Sequence, residues 1–252
     1  MNINFKNPQF NKLYQDYITR QKSLSIIAKD KINSSLKRLN KILDAYQYKC
    51  KALYDNISAR VNKKEYAIKG EYLVRGYYCP SPIKDIIVGN SPRGKILNRI
   101  TSVSKPTYEY GFDAGDNLIL VKYIYLDGFD KSNYEILLHQ DNCVIGIFFT
   151  LDGKGNTEIR AINESTYDNQ NRIISFVNGY LDENDFFEIE QEIYSYDESG
   201  LKTTELCRCI ESAYTYELYT FYHNSDGDLN EYFVEPRMFP DQKYKVNIKR
   251  KV

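Results

Sequence analysis

No proline or glycine occurs between Asn11 and Lys69. The stretch is rich in Leu, Ile, Lys, Gln and Ala, residues that lose little on entering a helix, so it predicts helix, with Asn7-Pro8 as a start. Within it Ile32, Leu36, Leu39, Leu43, Tyr46, Cys50, Leu53 and Ile57 step alternately by four and three, which is a heptad seam. The flanking positions Asn40, Gln47, Lys49 and Asn56 lack the Glu/Lys pairing that selects a coiled-coil partner, while Ile42 and Tyr54 widen the apolar stripe. Two destinations stay open for this seam: a second copy of the chain, giving a homo-oligomer, or the protein's own body. Phe10, Leu13, Tyr14, Tyr17 and Ile18 form an earlier apolar face. A single rod over residues 9–62 would run about 80 Å, longer than a compact domain covers. A helical hairpin turning near Ala28–Ser34, with Asp30 or Asn33 at the turn, is the alternative.

After Lys69 the texture changes to β-branched and aromatic runs broken by Gly, Asn and Asp, as antiparallel strands joined by short turns require. Strands are expected at Glu71–Tyr78, Lys84–Val88, Asn117–Tyr125, Tyr134–His139, Cys143–Leu151, Thr157–Asn163, Arg172–Val177, Phe186–Tyr196, Leu206–Glu211, Tyr214–Tyr222 and Asn230–Val234. The fold class is therefore α+β: a helical segment over residues 1–67 and an antiparallel β-hairpin body over 68–252.

The expected hairpin tips are alike. An aromatic or apolar residue, then Asp or Asn, then Gly or Asn near the fourth place recurs from Phe112, Leu151, Tyr167, Tyr196 and His223. A tip needs a residue at positive φ, which Gly and Asn supply at low cost. These tips, over residues 108–235, resemble the YD unit of YD/Rhs repeat proteins and of hairpin-repeat immunity and antitoxin proteins found beside bacterial toxins. The resemblance implies a meandering sheet of related hairpins. The copies are too few for a toxin-encasing shell.

Formal charge sums to zero but is segregated. Residues 1–107 hold 21 basic and 7 acidic side chains, residues 108–240 hold 8 and 26, and residues 241–252 hold 5 and 1. Either the basic part lies against the acidic part, or the acidic part draws in a basic partner. The longest apolar run, Cys143–Leu151, is far short of the roughly 20 residues a spanning helix needs, so no membrane span is expected. The start MNINFKNPQF lacks the charged and apolar regions of a leader. Five cysteines without framework spacing predict reduced thiols. A cytoplasmic protein is the expectation.

Motifs for chemistry are weak. Gly89–Lys95 has P-loop spacing, but Ile96 stands where Ser or Thr should hold Mg²⁺, so a turn is expected. His139, Asp141 and Cys143 would share a face on one strand, yet Gln140-Asp141-Asn142 reads better as a turn. His139 and His223 are the only histidines available for acid–base work. Cys207 and Cys209 lack a second pair at zinc-ligand spacing. Asn224, Asp226, Asp228 and Asn230 alternate oxygens, but Gly227 is misplaced for a calcium loop. No catalytic residue, cofactor or metal is assigned. Asp182, Glu183, Asp185, Glu188, Glu190 and Glu192 form a run without a basic residue, followed by Tyr194 and Tyr196. On a strand three of these carboxylates share one face. The expectation is a non-catalytic protein-binding chain, an immunity or antitoxin protein that occludes a basic bacterial toxin domain through this acidic, Tyr-rich surface. The alternative is a structural component of a phage particle or secretion apparatus, meeting assembly neighbours through the helix. The acidic body argues against nucleic acid as partner.

Overall fold

A computed structural model describes residues 8–87, 93–101, 104–128, 130–183, 185–237 and 243–246. The architecture is α+β: among the described residues a long N-terminal helix is followed by thirteen strands with antiparallel pairing. Helix α1 runs unbroken from Pro8 to Tyr46. No hairpin forms at Ala28–Ser34, because nothing there breaks a helix and both flanks bury residues: Ala28, Ile32 and Ser35 are all inaccessible. The break falls instead at residues 47–49, and α2 follows at Cys50–Ala59. Helix thus ends at Ala59 and not at residue 67, since Lys63–Ile68 is already strand β1.

The chain divides into two compact units, one of residues 1–36 and 187–252, the other of 37–186. The second contains α2, β1, α3 (Lys84–Ile87), β2 (Lys95–Ile96), β3 (Tyr108–Phe112), β4 (Leu118–Tyr123), β5 (Lys131–Gln140), β6 (Cys143–Asp152), β7 (Thr157–Tyr167) and β8 (Ile173–Asp182). Their order is β8-β7-β6-β5-β4-β3-β1-β2. The first unit holds all but the first two residues of β9 (Asp185–Asp197), with β10 (Gly200–Ile210), β11 (Ala213–His223), β12 (Leu229–Glu235) and β13 (Lys243–Lys245), paired as consecutive neighbours. Among the described residues no helix is long and apolar enough to cross a membrane.

One face of the larger sheet receives the helices. Cys50 and Ile57 of α2 are buried with Ile119, Ile136, Ile145, Ile147 and Phe149, and Ile42, Tyr46 and Leu53 pack against them. Each fully buried aliphatic or aromatic side chain of this set contributes roughly 1.5–3 kcal/mol. Leu39 lies over Gly179, where a Cβ would stand 2.7 Å from its Cδ1. The seam from Leu39 to Ile57 is consumed by the chain's own sheet.

The opposite face is covered by the segment after β1, and here expectation fails twice. Glu71–Tyr78 is not a strand but a series of turns ending in a 3-10 turn at Gly76–Tyr78. Lys84–Ile87 is a single helical turn, and Val88 lies outside the described residues. Both stretches look strand-like because their aromatic and β-branched groups are needed to cap a sheet. The P-loop spacing falls partly on undescribed residues 88–92; beyond it Lys95 enters β2, with no helix to receive a phosphate.

Four tips share one construction. The side-chain oxygen of Asp113, Asp152, Asp168 or Asn224 accepts from the backbone N–H groups two and four residues on. The positive φ falls on the residue three places on: Asp116, Gly155, Asn171 and Gly227. At the first tip it is therefore Asp116, and not the adjacent Gly115, that takes the left-handed conformation. These hydrogen bonds hold the Asp113, Asp152 and Asp168 carboxyls below their usual range: the largest contribution comes from the Asn117 backbone for Asp113, the Asn156 side chain for Asp152 and the Arg172 backbone for Asp168. A lowered folded pKa means stability present above the unfolded value and lost as pH falls through the folded one. Since Asn224 does the same work uncharged, Asp152→Asn and Asp168→Asn together should leave the neutral-pH melting temperature nearly unchanged and flatten its decline below about pH 4. An unchanged acid limb in the double variant would contradict this.

Candidate functional site

The acidic run is not the open surface expected. Asp182, Glu183 and Asp185 are exposed, Glu188 and Tyr196 are half-buried, and Glu190, Glu192 and Tyr194 are buried. Alternation does place Glu188, Glu190 and Glu192 on one face, but Arg208 of β10 stands directly across from Glu190 and binds it at 2.7 Å. Glu192 is wholly inaccessible and accepts the Tyr194 hydroxyl. Much of the charge segregation resolves inside the chain. Arg20 pairs with Glu235 and Lys31 with Glu205 in one unit; Arg38 pairs with Glu164, Lys64 with Glu109 and Arg75 with Glu135 in the other.

His139 lines a pocket with Asp113 and Arg60, but the Asp113 carboxylate caps its own tip, and the other candidate catalytic groups are occupied or apart. His139 and His223 place Nε2 2.8 and 2.9 Å from the carbonyl oxygens of Leu118 and Leu201. His139 and Cys143 sit on different strands either side of a tip that holds Asp141 at positive φ. Burial pushes the Cys143 and Cys207 thiols up to about 11 and Cys50 up to about 12, the reverse of what a nucleophile needs. Asn224 caps its own tip. The helical seam offers no free stripe, with Ile32, Leu39, Leu43, Cys50 and Ile57 all buried and Leu36, Tyr46 and Leu53 half-buried.

A different constellation occupies the larger unit, and none of its polar members is marked by a motif. Arg75 is 3% exposed and takes a left-handed backbone, φ 60°. Its backbone N–H donates to the Tyr123 hydroxyl at 3.1 Å, its Nε to Glu135 at 2.9 Å and its Nη2 to Asn163. The Tyr123 hydroxyl donates a hydrogen bond to Glu135 at 2.6 Å, and Asn163 Nδ2 donates to the same carboxylate at 2.8 Å. The Tyr110 hydroxyl closes the set on the Arg75 carbonyl. Burial, with Glu135 beside it, pushes the Tyr123 hydroxyl well above the ordinary phenol range, so it remains a donor.

Gly146 makes the network possible. It is cross-strand to Asn163, and a Cβ there would collide with Glu135 Oε1, Asn163 Oδ1 and Arg75 Nη2. Three strands and the covering segment converge on the space one missing side chain leaves.

Above this floor opens a pocket of about 140 Å³. Its walls are Tyr72, Tyr123, Tyr125, Phe148 and Tyr180, with Leu126 and Glu71 also in the lining. Asn178 lines it from β8, opposite Asn163, and is 3% exposed; its Oδ1 has no hydrogen-bond partner among the described residues. Burying an amide oxygen without a partner costs on the order of 1–3 kcal/mol, which a ligand donor would recover. At the mouth Tyr72 is 79% exposed, and Tyr125, Leu126 and Tyr180 also face solvent. The sequence carries a faint signal: Glu135 stands between Tyr134 and Ile136-Leu137-Leu138. Asn178-Gly179 reads as a hairpin tip yet lies mid-strand, because Gly179 makes room for Leu39. No protein-family model matches the chain, and no curated protein is similar to it.

Proposed function

We propose that this chain is a non-catalytic binding protein whose docking face is the mouth of the pocket in residues 37–186, and that its partner is a basic protein. The observation that carries this reading is the ring of exposed aromatic groups around an opening with a rigid floor. Tyrosines of this kind supply contact area at low entropic cost and are enriched at interface hot spots. The charge of the lining points the same way: among the described residues it contains Glu71 and Glu135 and neither Lys nor Arg. In its specific form the reading is that of an immunity or antitoxin protein that occludes a basic bacterial toxin domain, which the hairpin tips also support. The docking face differs from the acidic strand expected from sequence, whose central carboxylates are internal.

The test is a calorimetric titration with a Lys-rich peptide and a Glu-rich peptide of equal length. Binding should be confined to the Lys-rich peptide and weaken with salt. Tyr72→Ala should cost it about 1–2 kcal/mol while leaving the melting temperature in place. Equal binding of both peptides, or indifference to Tyr72→Ala, would overturn the assignment.

A further inference from the structure

We infer that the pocket is a receptor for a single alkylammonium group, such as the end of a lysine side chain; this rests on reading the mouth as the docking face for a basic partner. Three independent features converge. First, the walls are aromatic faces and edges in a compact cluster: Tyr123 lies 4.9 Å from Phe148 and 6.3 Å from Tyr125, centroid to centroid. Rings around a cavity attract a cation through their quadrupoles. Second, the charge balance is negative. Glu135 is offset by Arg75, whereas Glu71, also in the lining, makes no ion pair among the described residues, so the lining carries one uncompensated carboxylate. Third, Asn178 holds a buried amide oxygen with no donor among the described residues. An ammonium group brings three N–H donors and a compact charge, its methylenes lie along the rings, and a small rotation of the Asn178 side chain, whose oxygen is closed off from solvent, brings that oxygen onto one of the donors.

Competing ligand classes fit less well. An anion would meet Glu71 and no basic side chain in the lining. A neutral apolar group would leave the Asn178 oxygen unpaired. The cavity, about 140 Å³, admits the head and stem of a butylammonium ion but not a folded segment of chain.

The experiment titrates the full chain, by calorimetry and by the side-chain amide signal of Asn178, with n-butylammonium, its neutral counterpart 1-butanol and capped lysine. Butylammonium should bind with a dissociation constant on the order of 1 mM, and 1-butanol at least about tenfold more weakly. Capped lysine binding more tightly than butylammonium assigns the group to a protein side chain; the reverse order assigns it to a free amine. Asn178→Leu should weaken the cation by about tenfold or more, the worth of a hydrogen bond to a charged group. Asn178→Asp, nearly isosteric, should tighten it, and the surface variant Glu71→Gln should weaken it by about threefold. Equal binding of the cation and the alcohol, or affinity unmoved by both Asn178→Asp and Glu71→Gln, would overturn the proposal. Failure here is separate from failure of the docking reading. A basic peptide that binds and responds to Tyr72→Ala while butylammonium does not bind removes the ammonium receptor alone.

Discussion

Leu39→Asp combined with Leu43→Asp should unfold residues 37–186 and should not merely dissociate an oligomer. Leu39 is 1% and Leu43 5% exposed, and Leu39 fills the space over Gly179. Each substitution removes a buried aliphatic group, worth about 2–5 kcal/mol, and adds a carboxylate with no water to receive it. Together they exceed about 6 kcal/mol, comparable with the whole stability of a typical domain. Loss of most of the β and part of the helical circular dichroism at 25 °C is the expected result. A variant that keeps its β signal and only becomes smaller by light scattering would instead place the seam between copies of the chain.

The second large effect concerns the pocket floor. Arg75→Met should destabilise the protein by about 3–5 kcal/mol, because Glu135, 0% exposed, would be left charged and without its cation. Glu135→Met alone should cost a similar amount by stranding Arg75. The double variant should recover much of the loss, since two apolar side chains need no desolvated charge, giving a coupling of roughly 2 kcal/mol or more between the sites. Chemical denaturation of the four proteins reads this cycle. Additive losses would mean that the two groups are independently solvated and that the floor is not a closed network.

Periodicity was enough to find what depends on local rules. The helical stretch, the antiparallel hairpins and the tip chemistry all follow from spacing and from residues that tolerate positive φ. The tips illustrate both reach and limit: the Asp or Asn cap is visible in the sequence, but which residue takes the left-handed turn is not, and Asp116 does so in preference to Gly115. Charge was the poorest guide. A run such as Glu188–Glu192 looks solvated until the pairing register sets Arg208 across from Glu190, and register is a long-range property. The site was hidden for the same reason. Arg75, Glu135, Asn163 and Asn178 are spread over more than 100 positions in sequence. They meet only because the segment covering the sheet reaches down to the place where Gly146 has no side chain.

These residues make the pocket's floor and wall the centre of the account, and residue-resolved NMR during titration with a Lys-rich peptide tests it most directly. The Asn178 side-chain amide and the backbone amides of Tyr72, Leu126 and Tyr180 should move together and saturate at one affinity. Shifts confined to the exposed Asp182, Glu183 and Asp185 and to the rest of the acidic strand, with Asn178 unmoved, would contradict it.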